Sequence, residues 1–140
     1  MSTGRFILSV VVAFVIYSVF YMGLMAFLFL DVYMANADMF RPEAEGMAMY
    51  GMLGHLVQTI IVVALFNMAV ASNCIKTGAK FGLLMGGYLA ATDFTTYMGL
   101  KMSLAPLPYS IVIHLFVGTV VGMVLAKLHG PSGEASPADA

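Results

Sequence analysis

The chain has 140 residues, of which 61% are hydrophobic and only 9% charged, with a mean hydropathy of +0.96. A soluble domain of this size needs far more charge to cover its surface. A formal net charge of −1 argues against nucleic acid as a partner.

Four apolar runs follow one another: Phe6–Leu30, Met47–Ser72, Phe81–Leu100 and Leu104–Ala126. Each has roughly the 20 residues that a helix needs to cross a bilayer. The runs are continuous rather than alternating with period two, which excludes a β-barrel. The first run is predicted to form a helix that starts after Arg5 and ends at Asp31. Ala35-Asn36-Ala37 matches a signal-cleavage pattern, but the apolar run before it is about twice as long as a signal core. It reads as an uncleaved spanning helix.

The segment Asp31–Gly46 is an acidic loop, with Asp31, Asp38, Glu43 and Glu45 against Arg41, punctuated by Pro42 and Gly46. Helix two ends near Ser72-Asn73, and Cys74–Thr77 is a short link to helix three. Cys74 is the single cysteine, so no intrachain disulfide can form. Gly78–Leu100 is long enough to span. It carries glycines at a spacing of four (Gly78, Gly82, Gly86) and a full charge, Asp93. An ionisable residue inside a spanning helix costs a few kcal/mol or more and marks a functional site by default. Pro106 and Pro108 stand at the start of helix four, where the first turn tolerates proline. Gly130-Pro131 ends it, and residues 131–140 read as a disordered tail.

Arg5, Lys76, Lys80 and Lys127 fall on one side of such a bundle, and Arg41 and Lys101 on the other. The positive-inside rule then puts both termini in the cytoplasm and the acidic loop outside. Tyr33, Tyr50, Tyr97 and Tyr109 form an aromatic belt near the outer boundary. Tyr21-Met22-Gly23-Leu24 recurs as Tyr97-Met98-Gly99-Leu100. Tyr50 precedes His55-Leu56 by the interval that separates Tyr109 from His114-Leu115. These matches are the pattern of two parallel hairpins related by an axis along the membrane normal, with chance recurrence of common residues as the alternative.

At 1.5 Å rise per residue, His55, His114 and Asp93 all lie about 10–13 Å from the outer boundary. Gly86, Ala90, Asp93 and Tyr97 share one stripe of helix three, and His55, Gln58 and Thr59 one face of helix two. Helix three adds Thr92, Thr95 and Thr96. Gly82-x-x-x-Gly86 and Gly118-x-x-x-Gly122 are small-residue motifs that let helix backbones approach closely. They predict that helices three and four clasp below a polar site made of Asp93, His55, His114, Gln58 and Thr96.

Three chemistries fit that cluster. A carboxylate beside an imidazole can change charge near neutral pH, as a proton relay or coupled transporter requires. Two histidines at one depth could ligate haem axially, or hold a divalent ion with a carboxylate. The third is structural, a hydrogen bond from Asp93 that fixes the bundle. Of the twelve methionines after the initiator, nine lie in the outer half or outer loops. Met47, Met49, Met52 and His55 could wind along the start of helix two as soft ligands for Cu(I), or simply fill space. There is no G-x-S-x-G, H-E-x-x-H, C-x-x-C or Walker motif.

Gly87–Leu100 (GYLAATDFTTYMGL) resembles the penultimate helix of a family of bacterial membrane proteins that carries a domain of unknown function. That family's helix alternates Tyr and Ala before an Asp-Leu-Thr-Asn run. Here Tyr88, Asp93 and Thr95 match, while Phe94 and Thr96 replace Leu and Asn. The family's last helix tends to show Asp-Leu-x-Trp-Gly-Thr. Here Leu115, Gly118 and Thr119 match, but His114 replaces the Asp and Val117 the Trp. The resemblance covers about the second half of the chain. It implies a four-helix bacterial membrane protein with a functional Asp93, and supplies no activity.

The reading is therefore an all-α integral membrane protein with four transmembrane helices over residues 1–130 and a cytoplasmic tail over 131–140. It is placed in a bacterial inner membrane as a non-enzymatic protein handling protons, ions or a small ligand. Lipid surrounds it, and a homo-oligomer or other membrane subunits are the expected partners. The rival is a structural or accessory subunit of a membrane complex, and the third reading a haem or copper protein.

Overall fold

A computed structural model describes residues 1–37, 47–101 and 103–130. Among these there is no strand, and the architecture is all-helical. The acidic loop is expected from Asp31, but the first helix runs on through Ala35; Asp38, Arg41, Glu43 and Glu45 lie outside the described residues, as does the tail over 131–140.

Helix α1 (Thr3–Ala35) is continuous but not regular. Ser2 caps it, its side chain accepting from the Arg5 backbone N–H. After Tyr17 it widens into a π-turn, Ser18–Met22, and resumes at Gly23. Phe29 (φ −131°, ψ 22°) adds a kink near its end. Helix α2 runs over Met47–Leu65 and continues as a second π-turn, Phe66–Val70. It stops at Ala71, a non-glycine residue in the left-handed region (φ 42°).

Helix α3 is Ile75–Gly99, with Cys74 at its N-cap. This corrects the expected link over Cys74–Thr77. With no proline or glycine before Gly78, the helix continues through Lys76 and Thr77 instead. Helix α4 is Pro106–His129, with proline in its first turn and Gly130 (φ 76°) just past its end.

Three helices are long and apolar enough to cross a membrane: Thr3–Ala35, Met49–Val70 and Pro106–His129. α3, at 25 residues, is longer than the last two of these but less apolar, because Lys76, Lys80, Asp93 and several threonines dilute its hydropathy.

α1 packs against α2 on one side and α4 on the other, and α3 packs along α4. The core between α1, α2 and α4 contains Val10, Ala13, Val63, Phe66, Val117, Val121 and Leu125. Arg5 ties α1 to the end of α4, donating from Nη1 to the His129 carbonyl at 3.2 Å. α2 and α3 do not pack along their lengths. Their clearest contact is at one end, where the Phe66 and Phe81 rings meet edge-on at 5.2 Å.

The α3–α4 contact is backbone on backbone. A methyl group placed at Gly82 would collide with the Gly118 carbonyl, at Gly78 with the Gly122 carbonyl, and at Gly86 with the His114 carbonyl. From the other helix, methyls at Gly118 and Gly122 would strike the carbonyls of Gly82 and Gly78. Gly82, Gly86, Gly118 and Gly122 thus form a clasp, which Gly78 extends toward Ala126. Such proximity exposes large areas of atom-to-atom contact without immobilising long side chains.

Candidate functional site

Just above the clasp, where α3 and α4 first have room for side chains, Asp93 sits one helical turn beyond Ala90. The clasp sets the distance between these helices, so His114 Nε2 reaches Asp93 Oδ2 at 3.0 Å. Ser110, one turn earlier on α4, also donates to Oδ2. Tyr21 reaches across from α1 and donates to the same oxygen at 2.6 Å. Asp93 therefore collects three donors from two other helices.

His114 is buried, and its second ring nitrogen, Nδ1, is hydrogen-bonded to Tyr17 Oη. The Tyr21 ring stacks on the imidazole with centroids 4.0 Å apart. A continuous chain of hydrogen bonds thus runs Tyr17–His114–Asp93–Tyr21, with Ser110 as a branch. The π-turn over Ser18–Met22 begins directly after Tyr17 and contains Tyr21. A π-turn changes the angular step of a helix, and such turns are frequent at functional sites. Here it falls where one helix must direct two hydroxyls at neighbouring groups.

His55 does not touch Asp93. Its ring packs against Phe14 at 5.2 Å and Tyr17 at 5.1 Å between centroids. Its Nε2 is buried and has no hydrogen-bond partner among the described residues. His55 and Asp93 nevertheless face the same cavity of about 210 Å³, whose wall also includes Tyr17, Tyr21, Gln58 and His114. Gln58 lines the same cavity beside His55.

Thr96 is not part of the site. Its hydroxyl donates to the Thr92 carbonyl one turn back, and the residue lies exposed with Thr92 and Thr95 on an outer groove of α3. Asp93 and Thr96 are three positions apart, but the stripe that faces α4 runs through Gly86, Ala90 and Tyr97.

The metal and haem readings find little geometry. Both ring nitrogens of His114 are engaged. Met49 and Met52 are exposed, and the side chain of Met47 lies outside the described residues. No three His, Cys, Asp or Glu side chains converge among the described residues.

Tyr17, Tyr21 and Ser110 contact His114 or Asp93 and were not among the site residues read from the sequence. One signal was available for each. Tyr17 and Tyr21 are four apart on one face of α1, and Ser110 is four before His114. Of the expected aromatic belt, Tyr97 is buried and its Oη lies 3.2 Å from that of Tyr33, while Tyr50 and Tyr109 are exposed.

A scan against known protein families and searches of curated proteins and of solved structures return no match to this chain. The class defined here, a helical protein with three apolar helices of membrane-spanning length, rests on the chain's own geometry.

Proposed function

We propose that this chain is a four-helix integral protein of a bacterial inner membrane whose Asp93–His114 pair takes up and releases a proton. α3 is the fourth span in this reading. Its 25 residues reach about 37 Å at the helical rise, enough to cross. Its glycine face and Asp93 are turned to α4 and α1, which removes the polar groups most costly to lipid. An even number of spans puts both termini on one side. Arg5 meeting the end of α4 accords with that, and the lysine and arginine distribution makes the side cytoplasmic.

The observation that carries the reading is the bridge His114 makes between Tyr17 and Asp93. An imidazole with a hydroxyl on one nitrogen and a carboxylate on the other can accept a proton at one and pass one from the other. Tyr21 and Ser110 hold the carboxylate in place while its charge changes. The same bonds favour a second reading, in which Asp93 merely fastens α3 to α1 and α4.

Infrared difference spectra of the reconstituted protein during pH titration separate the two. Proton handling requires carboxyl and imidazole bands that change together within the pH range scanned. Asp93→Asn should remove both changes, and His114→Phe should shift the carboxyl band. A protein whose carboxyl and imidazole bands stay constant over that range has a fastening and not a relay.

A further inference from the structure

The fold leaves a cleft between α2 and α3, closed at one end by Phe66 and Phe81. Its mouth, about 360 Å³, is lined by Ile61 and Leu65 of α2 and Met85 and Tyr88 of α3. Ile61, Leu65 and Tyr88 are exposed, so the mouth faces the surroundings of the bundle, which in a membrane are lipid. Gln58 and Leu89 line the mouth and also the 210 Å³ cavity at Asp93. An apolar side cavity and the cavity at the carboxylate thus share Gln58 and Leu89 as their common wall.

The charge balance of the two cavities selects what can use them. No lysine or arginine lines the mouth or the inner cavity, and Asp93 is the one acidic residue there. The aromatic rings of Tyr17 and Tyr21 line the same cavity. In a low-dielectric site, attraction to a carboxylate outweighs a single hydrogen bond, and ring faces add to it for a cation. An anionic head would be repelled. His55 Nε2 adds a buried ring nitrogen with no partner among the described residues, on the wall opposite the Asp93 helix. A cation that carries N–H groups can satisfy both.

We propose that the cleft admits a lipophilic amine in its protonated form, whose ammonium group sits between Asp93 and His55 while its apolar chain lies in the α2–α3 mouth. The inference rests on the proton-handling reading, because the ammonium and the proton compete for the same pair. Binding RNH₃⁺ beside Asp93 expels one proton from the Asp93–His114 pair to solvent, so charge in the site is conserved. The titratable groups around Asp93 are Tyr17 and Tyr21 from α1, His55 from α2, His114 from α4 and Tyr97 on its own helix. None of them is a permanent cation that would forestall the ammonium.

The test uses the full chain in nanodiscs, with empty nanodiscs subtracted, and four probes with the same tail: decylammonium, decyltrimethylammonium, decanol and decanoate. Decylammonium should bind most tightly, release a proton on binding, and weaken about tenfold or more in Asp93→Asn. His55→Phe should weaken decylammonium several-fold and leave decyltrimethylammonium, which has no N–H, unchanged. Leu89→Trp, which enlarges the side chain shared by the two cavities without altering a polar group, should weaken both cations. Decanol or decanoate binding as tightly as decylammonium overturns the proposal, as does cation binding that is indifferent to Asp93→Asn. Ile61→Cys in a Cys74→Ser background provides a further check. Disulfide cross-linking between copies would show a second chain covering the mouth and overturn it. An infrared transition at Asp93 that persists while decylammonium fails to shift it refutes the ligand and spares the relay. Loss of the transition itself refutes the relay.

Discussion

Gly86→Ala tests the link between the clasp and the site. A methyl at Gly86 meets the His114 carbonyl oxygen, with the His114 carbonyl carbon at 3.0 Å and Leu115 Cα at 3.1 Å. All three are backbone atoms, so no side chain can rotate away, and the helices must separate. Overpacking of this kind costs about 1–3 kcal/mol, against a gain of up to about 1 kcal/mol for replacing glycine by alanine in a helix. With the full glycine-to-alanine gain counted, the net expectation is a loss of about 0–2 kcal/mol, against a gain at an open site. The neighbouring Gly87 is the control, since a methyl there would find only Leu115 Cδ2 at 3.8 Å, an ordinary contact. Gly87→Ala should therefore be neutral or stabilising. Reversible unfolding in mixed micelles measures both variants. Because the displaced group is the backbone of His114, Gly86→Ala should also weaken the 3.0 Å His114–Asp93 bond, seen as an altered imidazole infrared band. If Gly86→Ala proves as stable as Gly87→Ala, α3 and α4 do not approach as described and the basis for the site's geometry is lost.

Two more predictions address the ends of helices. Ala71 ends α2 in the left-handed region (φ 42°), where an L-residue costs about 1–2 kcal/mol. Ala71→Gly should raise stability by up to about 1 kcal/mol after the entropy of glycine is set against that strain, and unchanged or lower unfolding stability would contradict it. Cys74 is exposed, and the backbone N–H of Thr77, chiefly, holds its thiol below the usual range by favouring the thiolate. Its alkylation by a membrane-impermeant maleimide should reach half-maximal rate at lower pH than that of a free cysteine. In the proposed orientation the reagent labels it in inverted membrane vesicles and not in intact spheroplasts; the reverse pattern would invert the topology.

The apolar runs and the location of the helices were legible because they depend on local chemistry. About 20 consecutive apolar residues, or a proline in a first turn, act within one segment. Asp93 and His114 were legible because an ionisable side chain in an apolar run is costly wherever the run packs. The four clasp glycines were legible by spacing, although the part Gly78 plays against Gly122 and Ala126 was not. Helix spacing alone placed Thr96 beside Asp93, but the angular position of α3 against α4 turns Thr96 outward.

Which residues meet was settled by the packing of the helices. Equal depth placed His55 and His114 at one level. The α1–α4 contact then gave His114 to Tyr17 and Asp93, while His55 was left on the far wall of a cavity. The four-residue spacing of Tyr17 and Tyr21 was visible in the sequence, but the π-turn that starts after Tyr17 sets the angle at which Tyr21 meets Asp93. The α2–α3 cleft, too, is a property of packing, since it exists because α3 spends its contact face on α4. The apolar runs and Asp93 already required a charged group to be held among apolar helices. Helix rotation and proximity, which depend on all four helices at once, decided which partners hold it and from which side it can be reached.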